Sequence, residues 1–154
     1  MRCEKINKDV DTERKAAGDG EDAIVGEYGM VLTGNFGKSI SGITGESFSG
    51  FKGVSVSGKS GVSYSGVLGI CLSGENGILA ITYFDKVTDR LRLKVGYIGE
   101  NGLKPNTPYM LDKNNEFLEV ELDENFERKD HCGTILVYTF NKDINANWFI
   151  GNKC

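Results

Sequence analysis

Glycine stands at positions 26, 34, 42, 50, 58, 66 and 74, a step of eight held without a break. A second series, Gly29, Gly37, Gly45, Gly53, Gly61, Gly69 and Gly77, keeps the same step three residues later. Each unit therefore reads Gly-x-x-Gly followed by four residues in which small and apolar positions alternate. Numbered from its first glycine, position seven holds Ile24, Leu32, Ile40, Phe48, Val56, Tyr64, Leu72 and Ala80. Position eight holds Val25, Thr33, Ser41, Ser49, Ser57, Ser65, Ser73 and Ile81, and position six is mostly serine, with Cys71 in the same column. Alternation over four residues between glycines is a strand pattern of period two. Glycine pairs supply turns with unusual backbone angles at no Cβ penalty. No such unit can bury its apolar side alone, so identical units must stack into a solenoid.

Taken alternately, position seven separates into Ile24, Ile40, Val56, Leu72 and Leu32, Phe48, Tyr64, Ala80. The split predicts a coil of sixteen residues, two octads per turn, and four coils at about 4.8 Å spacing make a prism roughly 19 Å tall. Positions five and seven share one side and are mainly apolar, so the expectation is that they point inward and the serines form outward ladders. The opposite packing, a thin serine core, requires hydroxyls paired inside.

From about Ile78 glycine thins and charge rises. Ile78–Phe84 and the alternating Leu91, Leu93 and Val95 predict a hairpin turning at residues 85–89. Asn101-Gly102 and Asn114-Asn115 mark further turns, and the last apolar runs are Thr134–Phe140 and Asn147–Ile150. The predicted fold is all-β, a short octad-repeat parallel β-solenoid over 18–81 plus a small antiparallel β module over 82–154. Residues 1–17 are expected to cap the other end, with one or two helical turns over 8–17.

Three segments carry a resemblance: Gly77–Phe84, Gly102–Leu111 and Glu116–Val120. They are similar to the tail of a family of phage and prophage proteins. In that family a Gly/Ser/Ala-rich repeat array precedes a small β module with a Lys-Pro-x-Thr-x-Tyr segment, here Lys104-Pro105-Asn106-Thr107-Pro108-Tyr109. The likeness covers roughly residues 18–121. It implies a mobile-element origin and no reaction, and leaves the segment after Asp123 as the place for a task particular to this chain.

The chain's 154 residues carry 18 Lys+Arg and 22 Asp+Glu, a net charge of −4, which argues against gripping nucleic acid as its main task. No apolar run approaches the roughly 20 residues of a membrane span, and the amino terminus lacks a signal peptide's apolar stretch. The expected location is the host cytoplasm.

Catalysis needs an acid, base, nucleophile or metal at a defined place. The single histidine, His131, adjoins Cys132, but neighbours on a strand point to opposite faces. Cys3, Cys71, Cys132 and Cys154 have no Cys-x-x-Cys spacing, so neither zinc nor a cofactor is expected. Recurrent glycines without a following helix do not make a phosphate loop. The serine columns lack the threonines of an ice-binding face. Asp85 and Asp89 read as solvated charges. The acidic run Glu119, Glu121, Asp123, Glu124 and the aromatics Trp148 and Phe149 are the candidate partner-binding residues, Trp148 being the anchor to suspect at an interface. The expected function is non-catalytic binding of a host or phage protein, with inhibition of a bacterial immune effector as its specific form. The alternative is a trimeric β-helix of a phage tail or fibre, located in the virion, with position seven on the trimer axis. A homo-oligomer is compatible with either.

Overall fold

The computed structural model describes residues 13–128, and the backbone strands 133–140 and 146–153. Among these there is no helix. Eight short strands, β1 (Arg14–Ala16), β2 (Asp22–Ile24), β3 (Met30–Leu32), β4 (Lys38–Ile40), β5 (Glu46–Ser49), β6 (Val54–Val56), β7 (Val62–Ser65) and β8 (Ile70–Leu72), lead into a long one, β9 (Ile78–Asp85). Odd strands pair in parallel as one sheet and even strands as a second. The register steps by sixteen, Leu32 to Phe48 to Tyr64 to Ala80 in sheet A and Ile24 to Ile40 to Val56 to Leu72 in sheet B. This is the two-octad coil expected from position seven, and each ladder runs within one chain.

The direction of the side chains is the reverse of the expectation. Ser39, Ser47, Ser55, Ser63, Ser65 and Ser73 are fully buried, whereas Leu32 is 45 % and Ile24 59 % exposed. The physical reason is parity. Position four, always glycine in the regular units, lies on the same side of the strand as positions six and eight. A Cβ on Gly45 would sit 2.6 Å from the Ser41 Cβ, so the inward side has room for no side chain at position four of that corner. From Gly26 onward the glycines also do not supply the turns' unusual angles. Positive φ falls on position three, at Tyr28, Phe36, Thr44, Lys52, Ser60, Leu68 and Asn76. The first glycine serves stacking instead: a Cβ on Gly42 would lie 2.8 Å from the Glu27 backbone nitrogen one coil away.

A thin polar core requires every hydroxyl to find a partner. Ser47 Oγ lies 2.6 Å from the Val56 carbonyl and 3.0 Å from Ser41 Oγ. Ser63 repeats this with the Leu72 carbonyl at 2.7 Å and Ser57 at 2.8 Å. Ser55 bridges Ser49, Ser39 and the Tyr64 carbonyl. Cys71 takes the same place in the next coil, between Ser65 and the Ala80 carbonyl. Burial pushes its thiol up to about 12, so it stays protonated. Backbone ladders add to this between coils, with Gly42 N donating to Gly26 O and Gly58 N to Gly42 O, both at 3.1 Å.

The two ends are closed differently. At the first coil the inward column turns apolar, with Val25 and Val31 buried, and ends in Lys15. Its ammonium donates to the Ile24 carbonyl at 3.1 Å and pairs with Glu13 at 2.9 Å. Arg14–Ala16 is thus a strand, not part of the helical turns expected over 8–17; residues 1–12 lie outside the described residues. At the other end β9 runs on into an antiparallel hairpin with β10 (Arg90–Tyr97), as the alternation predicted. Next, β11 (Tyr109–Leu111) pairs antiparallel with β8 and with β12 (Phe117–Glu119), turning at Asn115. The antiparallel strands therefore extend both solenoid sheets. Beneath them Leu79, Ile81, Ile98, Leu103, Tyr109 and Leu111 form an apolar core that seals the coil.

Candidate functional site

The outward columns of the two sheets have different fates. On sheet B, Val54 and Ile70 form a buried cluster with Met110 of the adjoining strand β11 and with Val120, and Leu122 and Phe126 pack against it. Lys38 reaches Glu127 at 3.4 Å across its rim. The chain folds back over this part of the face, while Ile24 on the same sheet stays 59 % exposed.

Sheet A has no such cover among the described residues. Direct pairing places Tyr97 beside Ile78, Val95 beside Ala80, Leu93 beside Thr82 and Leu91 beside Phe84. The outer columns therefore continue without a break from the coil onto β10. Leu91, Leu93, Val95 and Tyr97 are 57, 50, 42 and 52 % exposed. Phe48 and Tyr64 stack at 5.9 Å between ring centres, and the Tyr64 hydroxyl bonds Thr82 at 2.8 Å. The face carries two charged residues, Arg14 and Glu46, both in the column that starts each strand. A shallow groove lies between Tyr64, Thr82, Leu91 and Leu93, with Tyr83, Arg90 and Arg92 completing its lining.

A second apolar element follows Arg128. β13 (Gly133–Phe140) and β14 (Ala146–Lys153) form an antiparallel pair in which Trp148 stands opposite Tyr138 and Phe149 opposite Val137. The same register sets Leu136 opposite Ile150 and Ile135 opposite Gly151. One of the sixteen residues is charged, Lys153.

No known protein family, curated protein or solved structure matches the chain.

The acidic candidates have mostly local roles. Glu119 pairs with Lys104 at 3.3 Å. The Asp123 carboxylate accepts the Asn125 and Glu127 N–H groups at 2.8 and 2.9 Å, which fixes a turn. Glu119, Glu121 and Asp123 share one open groove with Leu72 and Pro108, while Glu124 stands exposed. Asp85 is a turn residue too: its carboxylate accepts the Thr88 hydroxyl, the Val87 N–H and the Arg92 guanidinium. These hydrogen bonds, Thr88 first, hold it below the usual carboxylate range. His131, Cys132, Cys3 and Cys154 lie outside the described residues. Among the described residues, no three His, Cys, Asp or Glu side chains gather as a metal site, and no helix is long and apolar enough to cross a membrane.

Sequence reasoning missed the sheet A face because it assigned those side chains to the interior. The missed signal was the parity of the second glycine series with the serines.

Proposed function

We propose that this chain is a non-catalytic protein-binding protein that engages its partner through the β13–β14 hairpin. The observation that carries this reading is the hairpin's register, which pairs two strands rich in apolar and aromatic residues with a single charge in sixteen residues. An isolated hairpin is marginal in water, and surface of this kind gains stability only when covered. Trp148 and Phe149 are the aromatic anchors, and the acids Glu119, Glu121 and Asp123 offer a negative surface in a groove of their own. The likeness of Lys104–Leu111 to phage proteins supports a host or phage protein as the partner, with a bacterial immune effector as the specific case.

The test is capture by the full-length chain in a bacterial host, compared with Trp148→Ala and Tyr138→Ala. The expected result is one protein retained stoichiometrically by the parent chain and lost with either variant. The solenoid's melting should stay unchanged, and expression of the parent should raise phage yield on a restrictive host. No retained protein, together with unchanged phage growth, removes the reading. A stable trimer in which the chain itself is the main partner supports the fibre alternative instead.

A further inference from the structure

We infer that Asn101 is a self-modification site, at which the folded chain converts asparagine into isoaspartate and aspartate while protecting an identical sequence elsewhere. The tetrapeptide Gly-Glu-Asn-Gly occurs twice, as Gly74-Glu75-Asn76-Gly77 and as Gly99-Glu100-Asn101-Gly102. A branched aliphatic residue follows each, Ile78 or Leu103. Local chemistry is therefore the same at both places, and a difference in reactivity belongs to the fold.

Asparagine is a thermolabile residue, most of all before glycine, where no following side chain shields the backbone nitrogen. That nitrogen loses its proton and attacks the side-chain carbonyl carbon of the asparagine. A C–N bond forms, the side-chain amide nitrogen takes up the proton and leaves as ammonia, and a five-membered succinimide remains. Water then opens one of the two imide carbonyls. One opening gives aspartate; the other gives isoaspartate, in which the main chain passes through the former side chain. The structure must offer a glycine N–H that is free and a peptide plane that can rotate.

The first copy meets neither demand. Asn76 sits at position three of an octad turn, and Gly77 behind it is buried. The Gly77 N–H donates to the Gly74 carbonyl at 3.1 Å, and the Gly77 carbonyl accepts the Ile98 N–H at 3.0 Å. The Glu75 carbonyl accepts the Ser60 N–H of the preceding coil at 2.8 Å. A Cβ on Gly77 would run into Ser73 Oγ, so the peptide has no room to swing.

The second copy meets both. Asn101 and Gly102 are exposed, with φ of 50° and 79°, the conformation that Asn-Gly favours at the tip of a tight turn. Neither the Gly102 N–H nor the Asn101 side-chain amide bonds a described residue, and a Cβ on Gly102 would meet nothing within 4 Å. Two bonds close the loop below the tip, Leu103 N to Glu100 O at 3.0 Å and Gly99 N to Leu103 O at 2.9 Å. Opening them is a local event that leaves the coils stacked.

The modification would act on the end seal. This turn sets Ile98 and Leu103 in the apolar core that closes the coil. Isoaspartate inserts one carbon into the main chain between them and adds a negative charge, so it loosens the seal without touching the octads.

The experiment incubates the full chain in mildly alkaline buffer, folded and in urea, and follows both sites by peptide mapping with mass spectrometry. Methylation by protein isoaspartyl methyltransferase marks the isoaspartate. In the folded chain Asn101 should convert, with Asn76 slower by roughly tenfold or more. In urea the two rates should converge. The aged parent should melt at a lower temperature, whereas Asn101→Gly, which keeps the positive φ and removes the amide, should age without change. Asn101 intact in the folded chain overturns the inference, as does Asn76 converting equally fast there. A rate difference that persists in urea assigns the selectivity to sequence and overturns it too. Isoaspartate at 101 with unchanged melting overturns the role given to the turn in the seal.

Discussion

A buried hydroxyl stabilises only while it is bonded, and the serine core shows both sides of that rule. Ser55 is fully buried and bonded to Ser39, Ser49 and the Tyr64 carbonyl. Ser55→Ala leaves those groups short of a partner and should cost about 1–3 kcal/mol. Thr33 occupies the corresponding inward column, but its Oγ1 is buried with no hydrogen-bond partner in the structure. Thr33→Val keeps the shape, removes the unsatisfied oxygen and matches the neighbouring Val25 and Val31. It should therefore stabilise the fold by about 1 kcal/mol. Urea denaturation of both variants checks the pair, and a loss of stability in Thr33→Val would contradict the orphan hydroxyl. The orphan was not legible in the sequence, because Thr33 differs from its serine column by a single methyl group.

At the scale of the element, the strands and the connecting turns of the antiparallel part were legible. Asn101-Gly102 supplies two successive positive φ values, 50° and 79°, closed by Leu103 N to Glu100 O. Asn115 turns β11 into β12 as its amide residues predicted. The octad turns were recognised as turns but for the wrong reason. Each places a non-glycine residue at φ near +55°, where L residues are strained by about 1–2 kcal/mol. The gain that holds them there is the stack itself, as in Thr44 N donating to Lys59 O at 2.8 Å. Thr44 is exposed and β-branched, at φ 55°. Thr44→Gly should raise stability by about 0.5–1 kcal/mol after glycine's larger unfolded-state entropy is subtracted, and Thr44→Ala should not. Denaturant midpoints at constant slope decide this, and equal midpoints for both variants would mean that the turn is relaxed.

For the whole molecule the question is how a stack of identical coils stops growing. The antiparallel strands close one end with an apolar core. The other end is blunted by charge: Lys15 occupies the inward column that Val31, Ser47, Ser63 and Leu79 continue. It spends its ammonium on the Ile24 carbonyl and Glu13. Inward charge on an edge strand is a recognised barrier to strand addition. Lys15→Val continues the column without a charge, and the variant should form larger species end to end in a concentration-dependent way. Light scattering at rest would show this growth, and particles no larger than the parent's would assign the blunting to some other feature.

The spacing of glycine and the alternation between the glycines determined by themselves that the chain is a β-solenoid, how long its coil is and which strands stack. Those are properties of period, and period is local. Which side of the strand faces inward was decided only in three dimensions. Hydrophobicity favours burying Leu32 and Phe48, but the side-chain-free position four shares the opposite side of the strand with positions six and eight, and at Gly45 a Cβ would collide with Ser41. The side that carries the glycines is therefore the one that can close on itself at the corners of the coil. The apolar columns were thereby turned outward, where Val54 and Ile70 of one sheet are buried with Met110 and Val120, and Leu32, Leu91 and Leu93 of the other stay about half exposed.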